Sequence, residues 1–268
     1  MSLSARVAVL FVLFALSSCN ASAASSVTNL DRHAPILKRE LSSWVWKSQG
    51  ESACSLSQVR QIIDAVEYTK ILANAAVTNL DGAGDSSPAY RRWLGDANSR
   101  PGTVASITRN HFEAVLSELE APLTKSVASE QEDGPDPNRL VFTCPDDRHP
   151  VCEKHWNGDE PVAGMLNAGE VYSTNVLRLC PPFFRLGKHS KMVSKWRSSR
   201  GSILVETQGF SLLHEMQHLD AIVGRGHRAT DHAYEVEECE ALDKDEKLTN
   251  AQNFALFALD SLVNPPWN

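Results

Sequence analysis

Residues 214–218 read His-Glu-Met-Gln-His. Two histidines four positions apart, with an acid directly after the first, are useful together only on an α-helix, where i and i+4 share a face about one turn apart. There two imidazoles can grip one metal ion, and Glu215 reaches a water beside it. Phe210, Leu213 and Ile222 recur at core-facing intervals, and the spacing predicts a helix over 209–223. The chemistry that follows is one zinc ion on His214, His218 and a third protein ligand, with a position left open for water.

The third ligand has to come from nearby, and the sequence leaves several candidates: Asp220, His227, Asp231, His232, Glu235, Glu237 and Glu238. The longer pattern H-E-x-x-H-x-x-G-x-x-H fails, because position 221 is alanine and position 224 is glycine. Glu238 lies 20 residues past His218, close to the spacing of thermolysin-like peptidases, which keeps a glutamate ligand open. Asp231 is followed three residues later by Tyr234. His227 and His232 read as solvated loop side chains. Asp220 and Asp243 are both candidates to orient a ligand histidine.

The chain opens on Arg6, an apolar run from Val7 to Leu16, and the small-residue sequence Ala21-Ser22-Ala23. That is the layout of a signal peptide over 1–23, and the run is too short to span a bilayer. Leu16-Ser17-Ser18-Cys19 also resembles a lipidation site. Removing 1–23 takes away one of 26 basic residues and none of 33 acidic ones, for a net charge of −8. With no basic cluster interleaved with aromatics, nucleic acid is excluded as a partner. Five cysteines remain, Cys54, Cys144, Cys152, Cys180 and Cys239. Export favours disulfides, and an odd count leaves one thiol over.

Residues 24–50 show no periodicity and read as an N-terminal arm or propeptide remnant, ahead of one domain over 51–268. Ser57 is the expected N-cap of a helix carrying Val59, Ile62, Ile63, Val66 and Ala73, which stops before Asp81-Gly82. A second helix is expected over 103–119, an exposed loop over 130–138, strands over 140–143 and 171–179, and a loop over 188–201. A last helix begins after Thr249 as N-cap, with Phe254, Phe257 and Leu259 in the core. Trp93 and Trp196 are expected to be buried. Helices around a small sheet make the class α+β.

The pair Asp231 and Tyr234, downstream of the second histidine, resembles the aspzincin metallopeptidases, which include deuterolysin and the fungal peptidyl-Lys endopeptidases. The likeness continues in Cys54 at the head of a helix, Tyr90-Arg91-Arg92-Trp93-Leu94-Gly95, His111-Phe112, Val176-Leu177-Arg178-Leu179-Cys180-Pro181-Pro182-Phe183-Phe184 and Asn250-Ala251-Gln252-Asn253-Phe254-Ala255. It implies a zincin-like fold, mostly helical with a small sheet and an active-site helix carrying the motif. It implies Asp231 as third zinc ligand, Tyr234 as stabiliser of the oxyanion, Glu215 as general base, and bridges Cys54–Cys144 and Cys152–Cys180 with Cys239 unpaired. The activity it implies is that of a secreted, extracellular zinc metalloendopeptidase, a monomer acting on protein or peptide substrates with no membrane partner. A secreted zinc-scavenging protein without turnover is the alternative. Two features depart from the family pattern. Twelve residues separate His218 from Asp231, a longer insertion in which Gly224 and Gly226 would let the chain bulge out and return. Lysine-specific members carry acids where Gln252 and Ala255 stand, so the resemblance does not carry lysine specificity over.

Overall fold

The computed structural model describes residues 41–45, 52–122, 136–153 and 160–265, all within the unit Lys38–Asn268. The expected signal peptide and residues 130–135 of the expected acidic loop lie outside the described residues.

The backbone of the fold is α1, Leu56–Gly82. Its N-cap is Ser55, not Ser57: the Ser55 hydroxyl accepts from Gln58 N–H while the Gln58 side chain accepts from Ser55 N–H. That reciprocal box satisfies two N–H groups at the end of the helix, which a cap at Ser57 would leave open. Val59, Ile62, Val66, Leu72 and Ala73 line its buried face. The short helix α2, Pro88–Tyr90, continues into a π-helical turn, Arg91–Gly95. The expected second helix is one run in three parts: α3, Pro101–Ile107, a π-helical stretch Thr108–Glu113, and α4, Ala114–Glu118.

Four strands form the sheet in the order β1-β2-β4-β3. β1, Ser42–Val45, runs parallel to β2, Asp136–Thr143, which runs parallel to β4, Thr174–Leu179; β3, Ala163–Leu166, pairs antiparallel with β4 at the edge. Three departures from expectation follow. β1 arises inside the stretch read as an arm. Asp136–Asn138, read as loop, open β2, because Thr174 and Asn175 capture the carbonyls of Pro137 and Arg139. β4 starts at Thr174 rather than 171. The disulfide Cys54–Cys144 ties the head of α1 to the end of β2, and Cys152–Cys180 ties the turn Pro150–Cys152 to the end of β4, as the resemblance implied, while Cys239 is free and buried.

The stretch 188–201, expected as a loop, holds α5, His189–Ser198. Only Met192 and Trp196 of this helix are buried. A single i,i+4 pair among serines and lysines is too sparse to show as a period. It is followed by α6, Gln208–Met216, α7, Asp220–Val223, α8, Val236–Ala241, α9, Lys244–Lys247, and α10, Ala251–Val263, whose N-cap is Asn250 rather than Thr249. α6 and α10 both pack on α1. α6 lies against it at Gly209, where a Cβ would sit 2.5 Å from Tyr68 Cβ, and Thr69 Oγ1 donates to the Gly209 carbonyl at 3.0 Å. The missing side chain lets the two helices touch along their backbones.

Candidate metal centre

α6 begins where Thr207 Oγ1 accepts from Phe210 N–H, and it buries every residue from Gly209 to Met216. The expected helix over 209–223 is broken: α6 stops at Met216 and α7 restarts at Asp220. Asn167, from the end of β3, causes the break. Its Nδ2 donates to the His218 carbonyl at 2.9 Å, and its Oδ1 accepts from Asp220 N–H at 2.6 Å, which caps one helix and starts the next. The turn between them leaves His214 and His218 on one face, with their Nε2 atoms 3.2 Å apart.

The insertion after His218 is used up by α7, by Gly224 at φ +83° and by a 3₁₀ turn at Arg225–His227. Gly226 has no left-handed φ. The chain then returns alongside the motif, with Ala229 N–H donating to the Gln217 carbonyl at 2.9 Å. Thr230 pairs with the strand-like residues ahead of α10, and Asn250 Oδ1 accepts from His232 N–H at 2.9 Å. This presents Asp231 Oδ1 at 3.1 Å from His214 Nε2 and 3.2 Å from His218 Nε2. Among the described residues, His214, His218 and Asp231 are the group whose donor atoms lie close enough to share an ion. Glu238 is exposed on α8 and outside this group, as are His227 and His232. His227 instead bonds Asn110, and His232 bonds Thr230 and Thr249.

Neither candidate orienter serves the histidines. Asp243 caps α9, and Asp220 faces Arg225 and Arg228. His214 Nδ1 lies 2.9 Å from Gln252 Oε1, and His218 Nδ1 lies 3.0 Å from the Ala229 carbonyl. Nothing in the sequence singled out Ala229, because a backbone acceptor carries no side-chain signal. Gln252 stood out only for what it was not.

The three groups floor a cleft of about 1200 Å³, walled by Ala163 and Met165 of the edge strand β3 and by Glu206, Glu215, Tyr234 and Glu235. Glu215 is 8 % exposed. Burial pushes its carboxyl up, the two histidines pull it back, and Asp231 and Glu206 push it up again. Burial would also raise Asp231, but the close approach of the His214 and His218 imidazoles outweighs that and holds it well below the usual carboxylate range. The same contacts raise His218 against its own desolvation. Much of the Tyr234 side chain is exposed, while its ring stacks against His214 with centroids 5.7 Å apart; partial desolvation of the hydroxyl and the Asp231 charge push its titration upwards, so it keeps its phenol proton.

The donor set fits zinc. Two imidazole nitrogens and a carboxylate oxygen at about 2.0–2.2 Å around a tetrahedral ion would lie roughly 3.3 Å from one another. The spacings of 3.1 to 3.2 Å come within a small relaxation of that.

Residues 124–259, half of the chain, match the aspzincin family model, described as lysine-specific metallo-endopeptidase. No curated protein matches the chain in sequence. Among solved structures, a zinc peptidase from Grifola frondosa is similar at 16 % identity with a TM-score of 0.49, covering 77 % of this chain and 97 % of that one. The chain belongs to the aspzincin family of zinc metallopeptidases.

Proposed function

We propose that the chain is a secreted metalloendopeptidase in which His214, His218 and Asp231 hold one zinc ion, Glu215 is the general base and Tyr234 steadies the oxyanion. The observation that carries this reading is the triangle of Nε2, Nε2 and Oδ1 atoms with both Nδ1 atoms engaged behind it. Zinc bound there supplies Lewis acidity, which polarises a carbonyl and lowers the pKa of a coordinated water. The chain's residues do the rest. Glu215, raised by burial, takes the proton of the attacking water and hands it to the leaving amide nitrogen. The Tyr234 phenol, kept protonated, donates to the oxygen that gains charge as the carbonyl carbon becomes tetrahedral. Among the described residues β3 has one neighbour in the sheet, and its outer edge offers backbone groups to an extended peptide lying in the cleft.

Export is supported by the apolar Val7–Leu16 run ahead of Ala21-Ser22-Ala23 and by the two disulfides. Among the described residues, no helix is long and apolar enough to cross a membrane. A lysine preference is not part of the proposal: Gln252 is neutral with both amide ends engaged, and Ala255 is fully buried.

The test is digestion of casein by the purified protein, with and without a chelator, then with added zinc. Glu215→Gln and Asp231→Ala run in parallel with zinc quantified. Chelation should abolish cleavage and zinc restore it; Glu215→Gln should keep zinc and lose cleavage, and Asp231→Ala should lose both. Zinc bound by the wild type without any cleavage would reassign it as a zinc-binding protein.

A further inference from the structure

A backbone carbonyl can only accept a hydrogen bond. The Tyr234 carbonyl faces the Gln252 amide at 3.0 Å, so Gln252 must turn its Nε2 towards it. The amide is planar, and its Oε1 is thereby committed to the other side, 2.9 Å from His214 Nδ1. Gln252 is 2 % exposed, so a flipped amide would gain little from solvent, and a flip would set oxygen against oxygen at Tyr234. His214 Nδ1 must therefore carry its proton, and His214 Nε2 is left as a bare lone pair aimed at Asp231 and His218.

We propose that Gln252 is a positioning residue that fixes the tautomer of His214 from the Tyr234 backbone, and so ties the metal ligand and the oxyanion donor into one rigid unit. The proposal rests on the reading of His214 as a zinc ligand. Tyr234 is held twice: its carbonyl by Gln252, and its ring by the stack on His214. A shift of either residue is passed to the other. His218 needs no such relay, because the Ala229 carbonyl faces its Nδ1 directly. A neutral amide behind His214 also adds no negative charge to a cleft already lined by Asp231, Glu215 and Glu206.

Gln252→Met keeps the volume and removes both hydrogen bonds. Gln252→Glu keeps the acceptor for His214 and removes the donor to Tyr234. Zinc affinity is read by competition with a chromophoric chelator, the Nδ1–H proton of His214 by NMR of the zinc-loaded, ¹⁵N-histidine-labelled protein, and folding by circular dichroism. The expected result for Gln252→Met is a zinc affinity about 10–100-fold weaker and loss of the His214 Nδ1–H signal. Gln252→Glu should hold zinc within a few-fold of wild type, retain that signal, and lose kcat with KM little changed. A Gln252→Met protein with wild-type affinity overturns the proposal, as does a wild-type His214 protonated at Nε2, a result that does not depend on any variant folding. His214→Ala is the control for the reading beneath it: if that variant binds zinc like wild type, the ligand assignment itself fails.

Discussion

Nδ1 of His111 lies 2.9 Å from Oε1 of Gln217, deep under the active-site helix. Gln217 is one of the two unspecified positions of the motif, yet it is fully buried and donates from Nε2 to the Leu213 carbonyl. Its oxygen is therefore the acceptor, and the neutral His111 ring donates. That ring stacks on Phe254 of α10 with centroids 4.0 Å apart, so one imidazole joins the helix of His214 to the helix of Gln252.

His111 predicts an acid-sensitive fold. Burial lowers its pKa from 6.5 to about 4, against a smaller upward pull from Gln217. The unfolded chain takes up this proton as pH falls through 6.5, and the folded chain refuses it until about 4. The stability it confers is present above 6.5 and is lost as pH drops to 4. The fall is about 3 kcal/mol for this group, from the shift at 1.36 kcal/mol per pH unit. Denaturant melts at pH 7 and pH 4 should show wild type losing about that much more than His111→Asn. Equal losses in the two proteins would refute the assignment.

Tyr234→Phe removes the phenolic donor and leaves the ring stack. Zinc content and KM should hold, while kcat falls by about 10²–10³-fold, the effect of deleting one oxyanion donor. Steady-state kinetics on a quenched peptide would check it, and an unchanged kcat would remove Tyr234 from the chemistry.

Gly209→Ala places a methyl group 2.5 Å from Tyr68 Cβ and 3.2 Å from the backbone of Thr69. α6 and α1 must separate, at a cost of about 1–3 kcal/mol typical of overpacking. The expected readout is a lower urea midpoint together with reduced activity, since α6 carries His214 and Glu215. Wild-type stability would mean that the helix contact is looser than its geometry.

Asp260 accepts from two buried indoles, Trp93 Nε1 and Trp196 Nε1, each at 3.0 Å. Asp260→Leu strands both donors at about 1–3 kcal/mol each. Asp260→Asn keeps one acceptor oxygen and should lose roughly half as much. Chemical denaturation of the two variants tests this order.

Cys239 is fully buried, and burial pushes its thiol up to about 12, with Asn250 pulling it down slightly. Iodoacetamide at pH 8 should leave it unlabelled in the native protein and label it after denaturation, as peptide mass spectrometry would show. Labelling of the folded protein would contradict that burial.

The sequence alone determined the local chemistry. Histidines at i and i+4 with an intervening acid, Tyr three residues after Asp231, and the apolar periods of α1 and α10 all express themselves within a few residues. Physical spacing along one helix is the same in any fold. Residues whose meaning depends on what faces them were not legible. Met192 and Trp196 become a helix because the core receives them. α6 breaks after the motif because Asn167, some 50 residues away in sequence, caps both ends of the gap. That Asp231 rather than Glu238 lies beside the two histidines follows only from the return of the chain along Gln217. Gln252 acquires its role only because α10 delivers it between a histidine and a carbonyl. A hydrogen bond to a distant backbone group leaves no trace in local pattern, since its partner is chosen by the packing of whole helices.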